Sequence, residues 1–223
     1  MLNTKKGSIP LIKIAIIISA TCAIYASYLS NPHFYYLLKP LTTVLILSQF
    51  FTGRLPFSED IKKQRHRIIA GLVFCLIGDI FLLDYTFFAY GLGAFLIAHI
   101  IFAFVFSKLA GTKQYWLALI SLGAISLVYY WAIFDNLGNL RLPVAVYLCC
   151  IVVMAWQSLR VCFHRRDAWG LMLAFATICF LVSDSTIAAN EFIAPFMASN
   201  IIILGLYWIS ISIIALLFSN GIE

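Results

Sequence analysis

The sequence predicts an all-α polytopic membrane protein, a bundle of about eight transmembrane helices with both termini in the cytoplasm. Three observations carry that prediction: an extreme apolar composition, a run of span-length apolar segments, and a lopsided distribution of basic residues. Of 223 residues, 63% are hydrophobic and 11% are charged, and the mean hydropathy is +1.00. Soluble domains hold roughly 45–50% apolar and about 25% charged residues. Too little polar surface remains here to cover a core of this size in water. The 16% aromatic content also excludes a disordered chain.

Apolar runs separated by charged or turn-forming breaks fall at about 9–29, 36–51, 68–84, 87–107, 115–134, 143–161, 169–188 and 194–218. A spanning helix takes about 20 residues, so these runs fill residues 1–223 as a single transmembrane domain. Helices are the expected form, since no run alternates as a barrel strand does. The first run follows Lys5 and Lys6 but is long and lacks a small-residue cleavage site, which makes it a retained span. The second is short and carries Lys39-Pro40 at its start.

Orientation follows from the basic residues. With the N-terminus inside, the inner segments hold Lys5, Lys6, Arg54, Lys62, Lys63, Arg65, Arg67, Lys108, Lys113, Arg160, Arg165 and Arg166, which is 12 of the 15. The net charge of +6 arises in these loops. It fits a membrane surface and requires no nucleic acid. The six cysteines lie in or beside apolar runs without a CxxC pair, and read as small buried apolar residues. Gly91, Gly93, Ala94 and Ala98 give the fourth run a small-residue face for close helix approach. Trp116, Tyr129, Tyr130, Trp131 and Trp169 stand near span ends, as interfacial aromatics do.

Ionisable residues inside spans cost several kcal/mol and mark candidate sites. Lys39, Asp79, His99 and Asp184 qualify, with Asn190 and Glu191 just beyond the seventh run. By topology Lys39, Asp79 and Asp184 fall in the outer half of the bilayer and His99 near the middle. Gly78 before Asp79, and Ser183 and Ser185 around Asp184, leave room for a polar pocket at each carboxylate. Asp84 sits at a span end and reads as solvated, while His33, His66 and His164 fall in loops. Pro40 precedes Asp79 by 39 residues and Pro143 precedes Asp184 by 41, a faint echo of a duplicated four-helix unit.

Two carboxyl groups in an apolar medium can divide the work of general acid and general base. No GxSxG element and no HExxH element is present, so neither an activated serine nor a metal site is indicated. Metal-free and cofactor-free acid–base hydrolysis, or proton-coupled transport through the Asp pair, are the chemistries left.

Lys39-Pro40-Leu41, Gly78-Asp79 with Leu82-Leu83, then Phe88, Gly91, Phe95 and His99 stand in this order along the chain. They are followed by Pro143, Tyr147, Met154-Ala155-Trp156, Ser183-Asp184, Asn190 and Tyr207. This ordered set, over residues 36 to 215, resembles the YhhN-like membrane family, whose animal members include lysoplasmalogenases. Two departures stand out: Phe102 where the family tends to have tyrosine, and no glutamine after Tyr207-Trp208.

The resemblance implies hydrolysis of the vinyl ether bond of a lysoplasmalogen to a fatty aldehyde and glycerophosphocholine or glycerophosphoethanolamine. It implies Asp79 and Asp184 as the catalytic pair, with Lys39, His99, Ser183, Asn190 and Tyr207 binding or orienting substrate. The partners would be a lysophospholipid, water and the surrounding membrane lipids, in a bacterial inner membrane. A transporter using the two carboxylates is the competing reading. A scaffold would explain the hydrophobicity but not the intramembrane carboxylates.

Overall fold

The computed structural model describes residues 5–29, 31–52 and 58–220, with side chains from residue 11 onward. The regular elements are α1 (Lys5–Tyr28), α2 (Pro32–Thr52), α3 (Glu59–Phe81), α4 (Phe88–Leu109), α5 (Trp116–Ile133), α6 (Arg141–Arg165), α7 (Ala168–Phe192) and α8 (Ser199–Ser219). Short 3₁₀ turns precede α4 and link α5 to α6, and no strand occurs among the described residues. Arg54 of the expected inner face lies outside the described residues, as do the side chains of Lys5 and Lys6.

All helices but α3 are long and apolar enough to cross a membrane. The chain is an integral membrane protein. The expected eighth helix is present as α3, but its first turns carry Glu59, Asp60, Lys62, Lys63, Arg65 and Arg67. Only Ile68–Phe81 remains apolar apart from Asp79, about 21 Å of helix against a hydrocarbon layer about 30 Å thick.

Local chemistry sets the helix ends. Ser58 caps α3 by accepting from the Asp60 amide at 3.3 Å, and Glu59 and Asp60 complement the positive end of the dipole. Asp167 caps α7 through the Gly170 amide at 2.8 Å. Immediately before it Arg166 takes a left-handed φ of 55°, ending α6.

Five expectations are corrected here. The helix carrying Lys39 starts at Pro32, so Lys39-Pro40 lies inside α2 rather than at its head. Pro32 needs no amide partner in a first turn. At Pro40 the missing N–H leaves α2 unbroken, and the Thr42 hydroxyl donates to the Leu38 carbonyl at 2.8 Å. Asn190 and Glu191 belong to the last turn of α7, and His33, His66 and His164 lie within α2, α3 and α6 rather than in loops. Cys22 and Cys149 are exposed, so the cysteines are not uniformly buried. Gly93 has open space where a Cβ would stand, and so is not part of a close-approach face.

The chain divides into two compact units, Met1–Ala98 with Ile211–Glu223 and His99–Ser210. In the first, α1 packs along α2 and α2 along α3, around Ile46, Ile68, Leu72 and Cys75. Close packing replaces the hydrophobic effect as the cohesive force between helices in lipid. A Cβ on Gly78 would stand 2.6 Å from the Phe95 ring, and one on Gly91 2.7 Å from Leu82. In the second unit, α5 packs along α6 and α6 along α7, around Phe102, Phe106, Met154, Leu173 and Phe180. α5 leaves Leu117, Ile120, Ile125, Val128 and Trp131 exposed, a surface suited to acyl chains and not to water.

Two of the basic residues assigned to inner loops are buried clamps. Arg160 donates to the carbonyls of Gly111 (2.7 Å) and Lys113 (3.1 Å) and to Gln157 Oε1 (2.6 Å). Arg65 donates to the Phe50 carbonyl and lies over the Phe50 ring. Guanidinium groups suit this task because their fork of donors serves several carbonyls at once.

Candidate functional site

In the second unit a polar cluster forms around Asp184. That residue is on α7, where Ser183, Asp184 and Ser185 give way from the surrounding apolar run. Its side chain is only 9% exposed. The Tyr147 hydroxyl on α6 donates to Asp184 Oδ2 at 2.5 Å. His99 on α4, fully buried, brings Nε2 to 3.5 Å from the same oxygen. Neither ring nitrogen of His99 has a hydrogen-bond partner among the described residues.

Aromatic edges hold the imidazole instead. Its ring meets Tyr147 at 5.2 Å and 84°, and Phe180 at 4.7 Å and 69°. Phe180 in turn stands edge-on to Tyr207, 5.6 Å away. Such T-shaped pairs set ring orientation without polar contacts. The backbone of the same turn of α7 is fixed as well: the Tyr129 hydroxyl on α5 donates to the Ser185 carbonyl at 2.5 Å. Tyr129 is therefore part of this cluster rather than an interfacial anchor.

The other expected residues of this unit are spent differently. Ser183 Oγ donates to the Ile203 carbonyl at 2.9 Å, joining α7 to α8. Asn190 Oδ1 accepts from the Phe196 amide at 3.3 Å and ties down the α7–α8 connection. The structure thus brings Asp184, His99 and, through Phe180, Tyr207 together, and gives Ser183 and Asn190 partners of their own.

In the first unit Asp79, 1% exposed on α3, accepts from the Thr43 hydroxyl of α2 at 2.6 Å. Lys39, 5% exposed, stands one helical turn before Thr43, with Nζ 5.7 Å from the centre of the Tyr35 ring. Ser19 and Thr42 share a buried hydroxyl pair at 2.7 Å. Each unit therefore repeats one local device: a hydroxyl about one turn past a proline on one helix reaches an aspartate on the next.

Asp84 contrasts with both. It is exposed, and hydrogen bonds from the Thr86 amide and hydroxyl, at 2.9 and 2.8 Å, hold its carboxyl below the usual range. It caps the turn before α4. Among the described residues no group of three or more His, Cys, Asp or Glu side chains converges as metal ligands would.

Sequence reasoning overlooked Thr43, read Tyr129 as an interfacial aromatic and gave Tyr147 no role at the site. Thr43 and Tyr147 share a legible feature, a hydroxyl one turn past a proline on the helix before an aspartate. Tyr129 has none, because only tertiary packing aims it at α7.

The YhhN family matches residues 34–218. Membrane protein YhhN of Escherichia coli is 27% identical over 199 residues, covering 87% of this chain and 92% of that protein. Lysoplasmalogenase TMEM86A of Bos taurus is 31% identical over 156 residues, 67% of this chain and 64% of its own. A lysoplasmalogenase of Mycobacterium tuberculosis is 30% identical over 148 residues, 61% and 54%. No solved structure matches the chain. On the extent of the family match, which takes in every helix from α2 to α8 and both buried aspartates, the chain belongs to the YhhN family.

Proposed function

We propose that the chain is a membrane lysoplasmalogenase acting in a bacterial inner membrane. Its substrate is a single-chain vinyl-ether phospholipid, which reaches the protein from the surrounding lipid. The observation that carries the reading is Asp184: a nearly buried carboxyl group among apolar helices, with a hydroxyl on one oxygen and an imidazole beside it. The names of the bovine and mycobacterial relatives support the same reaction.

The chemistry suits carboxyl groups. An acid gives a proton to the outer alkene carbon of the vinyl ether, leaving an oxocarbenium ion. A carboxylate stabilises that cation and takes a proton from the water that adds to it. The hemiacetal then loses its C–O bond to glycerol, whose oxygen leaves with a proton. The sum is one vinyl ether plus one water giving one aldehyde and one alcohol. Asp79 and Asp184 are the proposed carboxylates. Lys39, a buried cation on α2, suits the phosphate or the tuning of Asp79. His99 orients Asp184, and Ser183, Asn190 and Tyr207 are proposed to bind or orient the head group or water.

A proton-coupled transporter is the second reading. One observation favours it, the placement of Pro40 within α2, since transport helices are commonly interrupted at proline. The helix nonetheless runs unbroken through that point. The deciding experiment offers purified protein a lysoplasmalogen beside an ester-linked lysolipid. Aldehyde from the vinyl ether alone supports the hydrolase. No aldehyde from folded protein, with proton uptake in liposomes, would put the transporter in its place.

A further inference from the structure

A carboxyl group has two oxygens and a broad, nearly two-fold torsion, so a reacting aspartate needs something to decide which oxygen faces its substrate. At Asp184 both neighbours converge on Oδ2: the Tyr147 hydroxyl at 2.5 Å and His99 Nε2 at 3.5 Å. Oδ1 accepts no hydrogen bond among the described residues. The donor and the acceptor lie on α6 and α7, which pack along one another, so the bond is set by rigid elements and not by loops.

Tyr147 fixes a second group at the same time. His99 lacks any hydrogen-bond partner among the described residues, and the Tyr147 ring is one of the two edges that orient it. One side chain thus holds the carboxyl group through its hydroxyl and the imidazole through its ring. The backbone beneath Asp184 is fixed independently by Tyr129 at the Ser185 carbonyl. Loss of the Tyr147 hydroxyl therefore releases the carboxyl group without freeing the turn that carries it.

We propose that Tyr147 is a positioning residue for Asp184, occupying Oδ2 and steadying His99 so that Oδ1 is the oxygen that exchanges a proton with the substrate or water. The inference rests on Asp184 being a reacting carboxylate, as proposed above.

The test separates hydroxyl from ring. Tyr147→Phe keeps the ring against His99 and removes the donor. It is expected to lower kcat for aldehyde release about ten- to a hundredfold, as small misplacements of reacting groups do, with KM within about threefold. In an Asp184→Asn background the same substitution is expected to cost less than about twofold, because a residue acting through another loses its effect when that other is gone. Equal fractional losses in the two backgrounds, or wild-type turnover in Tyr147→Phe, would overturn the proposal.

An infrared measurement needs no turnover. The carboxyl band that disappears in Asp184→Asn is expected to shift in Tyr147→Phe, and an unmoved band would overturn the Tyr147 assignment by itself. If Tyr147→Phe does not fold in detergent, the wild type labelled with 3-fluorotyrosine, a stronger donor, reads the same band. Absence of aldehyde from the wild type would overturn the proposed function, leaving the band to decide the Tyr147–Asp184 bond separately.

Discussion

At Asp79 and Asp184 the cost of placing a carboxyl group among apolar helices is offset locally, with a hydroxyl from the preceding helix donating to each. A buried polar group without a partner is strongly unfavourable in lipid, so Thr43 and Tyr147 belong to these sites together with the carboxyl groups. Asp79→Asn and Asp184→Asn, measured separately by aldehyde release, are each expected to lower turnover by at least about a hundredfold, the lower range for acid–base groups. Near-normal turnover in either would remove that residue from the mechanism. Asp84→Asn is expected to change turnover less than about twofold, because that carboxyl is exposed and only caps a turn.

At the scale of the element, close packing and capping give distinct predictions. Gly78→Ala forces a methyl group within 2.6 Å of the Phe95 ring. It is expected to destabilise the first unit by about 1–3 kcal/mol, the usual cost of overpacking, read as a fall in the thermal unfolding midpoint in detergent. Gly93→Ala meets open space and is expected to be neutral or slightly stabilising in the same measurement. For α7, the Arg165 side chain and then the Gly170 amide hold the Asp167 carboxyl below its ordinary range. A depressed folded-state pKa means the cap is at full strength above the unfolded pKa, about 3.9, and weakens as pH falls through the folded value. Amide-exchange protection at Gly170 is expected to follow that course and to lose its acid dependence in Asp167→Asn.

For the whole molecule, α3 decides the topology. Seven spans would put the termini on opposite sides of the membrane, and eight would put them on the same side. Apart from the buried Asp79, the charges of α3 are confined to its first half, whose Arg65 already binds the end of α2 through the Phe50 carbonyl. We expect α3 to cross by its apolar half, with local thinning of the bilayer, and both termini to be cytoplasmic. Reporter tags at each end that require the cytoplasm to fluoresce should both light up. A dark tag at one end would make α3 a half-span.

The sequence by itself determined that this is a helical membrane protein, where most of its helices run, and which ionisable residues lie inside them. Composition and span length are one-dimensional properties, and burial of Asp79, His99 and Asp184 follows from their apolar neighbours along the chain. Their partners are different in kind. Thr43 is 36 residues from Asp79 and Tyr129 is 56 from the carbonyl it binds. Arg65 and Arg160 read as surface charge until folding brings loop and helix-end carbonyls to them. Hydropathy fixes how deep a residue sits but not the direction its helix turns about its own axis. That rotation is set by packing between helices, so only the tertiary structure decided that Asp184 meets Tyr147 and His99 while Asn190, on the same helix, ties down a loop.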